Sequence, residues 1–175
     1  MAAVRLEKAD LRGAEMNRNE HIAVFRSAAS GVLPTSDRLL LPEWSDADWN
    51  KLLGRTRPRP FRASEVIIQR GAADRNLYFV VAGSLEVGVT HVDGVSISPL
   101  AKINAGSVVG EQSFFDGQAR SVNVWGVADG ELLPMEFDDF ARFGREEPAL
   151  ARDMLLALAR VLSARLRNTT YRVRR

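Results

Sequence analysis

The chain has 175 residues, enough for one domain with a sizeable core and a leader but too few for two ordinary domains and a linker. Its 24 basic and 22 acidic side chains nearly cancel, so overall charge implies no particular partner, and the absence of cysteine excludes disulfides and thiol catalysis and argues against thiolate metal sites. No apolar run approaches the ~20 residues of a membrane span, and Glu7, Asp10 and Glu15 break up any signal-peptide core, so a protein of the reducing cytoplasm is expected.

Residues 1 to about 30 mix Ala, Glu, Arg and Leu without proline, and His21 to Phe25 form a small apolar cluster; a short helix ending at Ser30-Gly31 is expected, as a leader that packs on the domain or stays mobile, the alternative being a docking arm for another protein. Ser45 precedes Asp46-Ala47-Asp48-Trp49-Asn50-Lys51-Leu52-Leu53, with acids in the first turn and Gly54 after it, which predicts a capped helix of one or two turns. From Arg62 to Met135 short β-rich runs alternate with Gly71, Gly83, Asp93-Gly94, Gly106, Asp116-Gly117 and Asp129-Gly130. Such even punctuation predicts antiparallel strands in a roll or barrel, with hairpin turns at Asp93-Gly94 and Asp129-Gly130. Trp125 falls in the strand after the glycine-rich segment and is read as a sheet-packing residue.

After Phe137 the pattern is helical. Asp138-Asp139-Phe140 opens one helix and Pro148 fits the first turn of another. There Ala151, Leu155, Leu158, Leu162, Leu166, Thr169 and Val173 recur at steps of three and four as one apolar stripe. Charge is unevenly placed: from Arg152 to Arg175 it is all arginine except Asp153, while Asp129 to Glu147 is rich in acids.

The segment Gly110-Glu111-Gln112-Ser113-Phe114-Phe115-Asp116-Gly117-Gln118-Ala119-Arg120-Ser121 carries the most chemistry. A short helix opening at Gly110-Glu111 would leave N–H groups free near Ser113 and turn its positive end toward an anion. Arg120 offers a planar, always charged fork that suits phosphate oxygens, and Ser121 adds a hydroxyl. Glu111 only accepts hydrogen bonds when ionised, so its natural partner is a neutral donor such as a sugar hydroxyl. Catalysis is not expected: His21 and His91, the only histidines, lie far apart in sequence, and neither a hydrolytic triad pattern nor a G-x-x-x-x-G-K-[ST] loop is present, so no catalytic residue and no metal ligand is assigned.

This segment resembles the phosphate-binding cassette of cyclic-nucleotide-binding domains, G-E-x-x-x-[LF]-…-R-[AST]. Upstream, Val66-Ile67-Ile68-Gln69-Arg70-Gly71 and the run Asn76 to Val87 are similar to the family's first barrel strands, as is the approach from Leu100 to Gly106. The likeness covers about residues 48 to 173 and extends to the sensor domains of catabolite-activator-type regulators and of protein kinase A regulatory subunits. It implies a mainly β fold, an antiparallel β-roll of double-sheet, jelly-roll-like form flanked by N- and C-terminal helices. It also implies a leader over 1–44, partly helical or mobile, the roll with its first flanking helices over 45–147, and a lid or dimerisation helix over 148–175. The ligand would be cAMP or cGMP, with no further cofactor, held by Gly110, Glu111, Gln112, Ser113, Arg120 and Ser121. Gln112 and Ser113 depart from the usual apolar and small residues, which bears on ligand choice. Arg165, Asn168 and Thr169 are the candidate base contacts on the last helix, where an arginine can stack on a base and Asn or Thr can read its edge.

The function so implied is a non-catalytic receptor module for signal transduction, whose C-terminal helix moves with occupancy and passes the signal to an effector protein or to a second copy. Alternative readings are a scaffold or dimerisation protein whose pocket is empty or takes a cyclic dinucleotide, and a nucleic-acid binder using Arg160, Arg165, Arg167, Arg172, Arg174 and Arg175. Transcription factors of the family continue into a helix-turn-helix domain. This chain stops at Arg175, so nucleic acid is not the expected partner.

Overall fold

A computed structural model describes residues 16–29, 37–90 and 97–173. The elements run α1 (Arg18–Ala29), α2 (Asp46–Leu53), β1 (Arg59–Phe61), β2 (Val66–Ile68), β3 (Leu77–Thr90), β4 (Ile97–Asn104), β5 (Val108–Val109), α3 (Glu111–Asp116), β6 (Asn123–Met135), α4 (Phe137–Glu146) and α5 (Pro148–Val173). The strands are mutually antiparallel in one six-stranded sheet ordered β1-β6-β3-β4, with β2 added on β6 and β5 on β3. Among the described residues the path does not close on itself, so the expected β-roll is present without being a closed barrel.

The period-two rule for strands divides the core in two. On β3, Leu77, Phe79 and Val81 face the helices, while Tyr78 and Val80 face the roll interior. Likewise β6 sends Leu133 and Met135 to the helices and Leu132 inward, and β5 splits Val108 from Val109. One central strand pair thus carries both an inner core with Phe61, Leu85, Ile103 and Val124 and an outer layer of α1, α2, α4 and α5.

α2 has the capping box that Ser45 and Asp48 predict: the Ser45 hydroxyl accepts from the Asp48 N–H at 3.2 Å, and the Asp48 carboxylate accepts from the Ser45 N–H at 2.9 Å. The leader helix is real and packed. Phe25 of α1 stacks on Trp49 at 5.0 Å between centroids and meets Phe79 edge-on at 5.9 Å. Its predicted end at Ser30-Gly31 and the Asp93-Gly94 turn lie outside the described residues, as does His91.

Two expectations are corrected. Asp129-Gly130 is not a hairpin turn but lies within β6, opposite the irregular stretch of β3 where the register shifts on either side of Ala82. The Asp129 side chain accepts from the Ala63 N–H at 2.8 Å, and Gly130 is pressed against Ala82 so closely that a Cβ would lie 2.3 Å from its carbonyl oxygen. The dipeptide therefore serves a bulge and a close strand approach. Nor is the stripe of α5 one face. Ala151, Met154, Ala157, Leu158, Val161 and Ala164 are buried, whereas Leu155 and Leu166 are exposed at 38% and 68%. The inner face mixes alanines with Met154, Leu158 and Val161, and Leu155 and Leu166 lie outward.

Trp125 is half-buried in β6, opposite Val66 and Glu86, consistent with sheet packing. Among the described residues no helix is long and apolar enough to cross a membrane, and no cluster of three His, Asp or Glu forms that could hold a metal ion.

Candidate functional site

β5 pairs with Tyr78 and Phe79 of β3 and delivers the chain to Gly110, which precedes α3. Gly110 has φ 90°, in the left-handed region, and a Cβ there would lie 2.6 Å from both Arg120 Nη1 and the Asn76 carbonyl oxygen. Backbone conformation and close approach both demand glycine. No side chain caps α3, whose first hydrogen bond runs from Phe114 N–H to Gly110 O at 3.2 Å, so the preceding N–H groups have no acceptor within the helix.

Arg120 is 3% exposed. Its backbone is fixed on the β2–β3 turn, where its N–H donates to Ala72 O and its carbonyl accepts from Gly71 N–H, both at 2.8 Å. The guanidinium donates from Nη1 to Gly110 O at 3.0 Å, from Nη2 to Asn76 O at 2.6 Å, and from Nε and Nη2 to the Asp74 carboxylate. These bonds account for all but one of a guanidinium's five N–H donors. They also hold the Asp74 carboxyl below its ordinary value. Arg120 thus organises the start of α3 as well as bringing charge to it. Asp74 and Asn76 were not anticipated, although Asp74 is the single acid between β2 and β3, and a buried arginine calls for such a partner.

Glu111 is 4% exposed, and its partner is a cation rather than a neutral donor. Arg165 Nη1 of α5 lies 2.7 Å from Glu111 Oε2. The other end of that guanidinium, Nη2, donates to Val108 O at 2.7 Å and reaches Asp37 Oδ2 at 3.2 Å and Ser107 Oγ at 3.3 Å. Glu111 and Arg120 therefore do not pair with each other; each is matched from a different part of the chain. The Ser121 hydroxyl donates to Gln112 Oε1 at 2.7 Å, linking the two ends of the cassette.

All of the predicted ligand residues, Gly110, Glu111, Gln112, Ser113, Arg120 and Ser121, line one cavity of about 290 Å³, and Arg165, Asn168 and Thr169 of α5 line it too. The Thr169 hydroxyl donates to Arg165 O at 3.0 Å, within its own helix. Asp37 and Lys102 are cavity residues that sequence reasoning missed. Lys102 follows from strand alternation once the register is known, since it sits opposite Glu86 on β3. Apolar lining comes from Ile68, Val87, Leu100, Ile103, Val109 and Val124, so charged and apolar groups share the wall. That mixture suits a ligand with an anionic part and a flat, weakly polar part.

The family model of the cyclic nucleotide-binding domain matches residues 58–147, more than half of the chain. The chain is 31% identical over 104 residues to the cyclic AMP receptor protein of Thermus thermophilus, covering 59% of this chain and 48% of that one. It is 29% identical over 126 residues to a cAMP-activated global transcriptional regulator of Pseudomonas aeruginosa, covering 71% and 58%. It thus spans about half the length of these curated relatives. The fold is shared with a cyclic nucleotide-binding domain from Methylobacillus flagellatus, at a TM-score of 0.73 and 19% identity over 89% of this chain and 82% of that one. With a matching family model, the same antiparallel roll and a cassette set around one cavity, the chain belongs to the cyclic nucleotide-binding domain family.

Proposed function

We propose that the protein is a non-catalytic receptor for a cyclic nucleoside monophosphate, cAMP or cGMP, that reports occupancy through α5. One observation carries the reading: the cassette carboxylate Glu111 and the α5 guanidinium Arg165 meet at 2.7 Å on the wall of the same cavity. A ribose hydroxyl that donates to Glu111 shares an acceptor already held by α5, so ligand and helix are energetically linked. The phosphate takes the remaining Arg120 N–H, the unpaired N–H groups at the start of α3 and the Ser121 hydroxyl. The base extends along the apolar walls toward Asn168 and Thr169. The relatives described as cAMP-dependent support the ligand class.

The output surface is the outer face of α5, where Leu155, Leu156 and Leu166 are exposed at 38%, 53% and 68%. An effector protein or a second copy of the chain covers it. Isothermal calorimetry with cAMP and with cGMP tests the reading. Saturable binding to the wild type is expected, weakened at least about tenfold in Arg120→Ala, because the ligand anion loses its charge-assisted donor. Unchanged affinity in that variant, or binding of a cyclic dinucleotide with neither mononucleotide bound, would replace it.

A further inference from the structure

Arg165 is held from two sides. Nη1 faces Glu111 at 2.7 Å, and Nη2 faces Asp37 at 3.2 Å. Asp37 lies outside the stretch that defines the family, 58–147, yet its side chain reaches the cavity wall. Its position does not depend on its own carboxylate. The Asp37 carbonyl accepts from the Ser107 hydroxyl at 2.6 Å, Arg38 bridges to Ser107, and the Leu39 N–H donates to Gly106 O at 3.0 Å. Leu39 itself is completely buried. Backbone bonds and an apolar anchor thus present a carboxylate to the site.

The charges around the cavity show what this carboxylate does. Lys102, Arg120 and Arg165 are the cations of the wall, Asp37 and Glu111 its anions, and Asp74 matches Arg120 from behind. Each guanidinium is therefore already paired before any ligand arrives. Glu111 has a use in binding, as the acceptor of a sugar hydroxyl. Asp37 has none of that kind: it lends its charge to Arg165 and opposes a second anion nearby.

We infer that Asp37 is an internal counter-anion of the ligand site, a tethered competitor that neutralises Arg165 and lowers affinity for an anionic ligand. The inference rests on the cyclic-nucleotide reading of the cavity. It makes the segment before the roll a positioning element that acts through Arg165, and it sets the ligand concentration at which the receptor fills.

The test is calorimetric titration of the full chain with cAMP, and with cGMP in parallel. Asp37→Asn keeps the size of the side chain and the backbone bonds while removing the charge. It is expected to bind roughly threefold to tenfold more tightly at low ionic strength, and the gain shrinks as salt is added because Asp37 is partly exposed. Asp37→Ala tightens binding in the same direction, and Asp37→Glu, which restores the charge, falls back toward the wild type. In an Arg165→Gln background the gain from Asp37→Asn is smaller, because only the direct repulsion of the ligand anion is left to relieve. A merely structural role would make both neutral variants bind more weakly. Unchanged or weaker binding in both, or a gain undiminished in the Arg165→Gln background, overturns the inference while leaving the receptor reading intact. A wild type that binds neither nucleotide overturns the receptor reading and this inference with it.

Discussion

Glu111 Oε2 and Arg165 Nη1 lie 2.7 Å apart, joining the first residue of α3 to the far half of α5. Side-chain exposures of 6% and 19% mean that neither charge is well hydrated, so neither is readily left alone. The cassette and the last helix are thus joined by a buried contact, which, in the proposed reading, a ligand at Glu111 would redistribute.

Arg165→Ala is expected to destabilise the fold by about 1–3 kcal/mol, since it strips the partner from a buried carboxylate. Glu111→Gln should cost less, because its amide oxygen still accepts from Arg165. Urea denaturation of the two single variants and the double variant gives the coupling energy, and a value near zero would show that the pair is held together by its surroundings alone.

Arg120→Lys tests whether the fork or the charge matters. The guanidinium serves Asp74, Gly110 O and Asn76 O together, which one ammonium cannot do in that planar arrangement. A stability loss of about 1–3 kcal/mol is expected even without ligand, because buried carbonyls lose donors. A melting temperature equal to that of the wild type would mean that Arg120 is held for ligand contact only.

Acid titration isolates Asp74. Hydrogen bonds from Arg120 hold the Asp74 carboxyl below its ordinary value in the folded state; burial opposes them more weakly, and the Arg120 charge adds a smaller effect in the lowering direction. A folded-state value below the unfolded one contributes stability above the ordinary carboxylate range. That contribution is lost as pH falls through the depressed folded value. Asp74→Asn should therefore flatten the acid limb of the stability profile and leave the neutral-to-alkaline limb parallel to the wild type. An acid limb unchanged in slope would remove Asp74 from the balance. The carboxylate is 42% exposed, so the effect is screened and should shrink with salt.

The cassette was legible because its parts are local. Gly110, Glu111, Arg120 and Ser121 sit within one short stretch, although its residue types did not reveal that Glu111 meets Arg165, and Ser45 with Asp48 announces α2 plainly. Asp37, Asp74 and Lys102 were not legible, because each reaches the site through pairing across the sheet or through a loop contact distant in sequence. Asp129-Gly130 misled for a related reason. The same dipeptide that favours a tight turn also fits a bulge, and only the neighbouring Ala82 carbonyl decides between them. On α5, sequence periodicity registered an apolar repeat without revealing that two faces share it.

The leader helix is fastened by a buried polar contact: His21 Nε2 lies 2.5 Å from Glu131 Oε1, and the two residues are 1% and 5% exposed. Among the described residues His21 Nδ1 has no partner, so the bond to Glu131 is what compensates the burial of the imidazole there. His21→Ala strands the carboxylate and opens a cavity beside Ile22 and Phe25, and a loss of about 2–4 kcal/mol is expected. Replacing both partners with leucine removes the polar pair and refills the space, so the double variant should recover most of that loss. Hydrogen exchange of α1 amides separates a local from a global effect. Protection lost in α1 alone would make this contact the clasp of the leader, whereas uniform loss across the sheet would make it part of the common core. If His21→Ala is as stable as the wild type, then the stacking of Phe25 on Trp49 suffices to hold the helix.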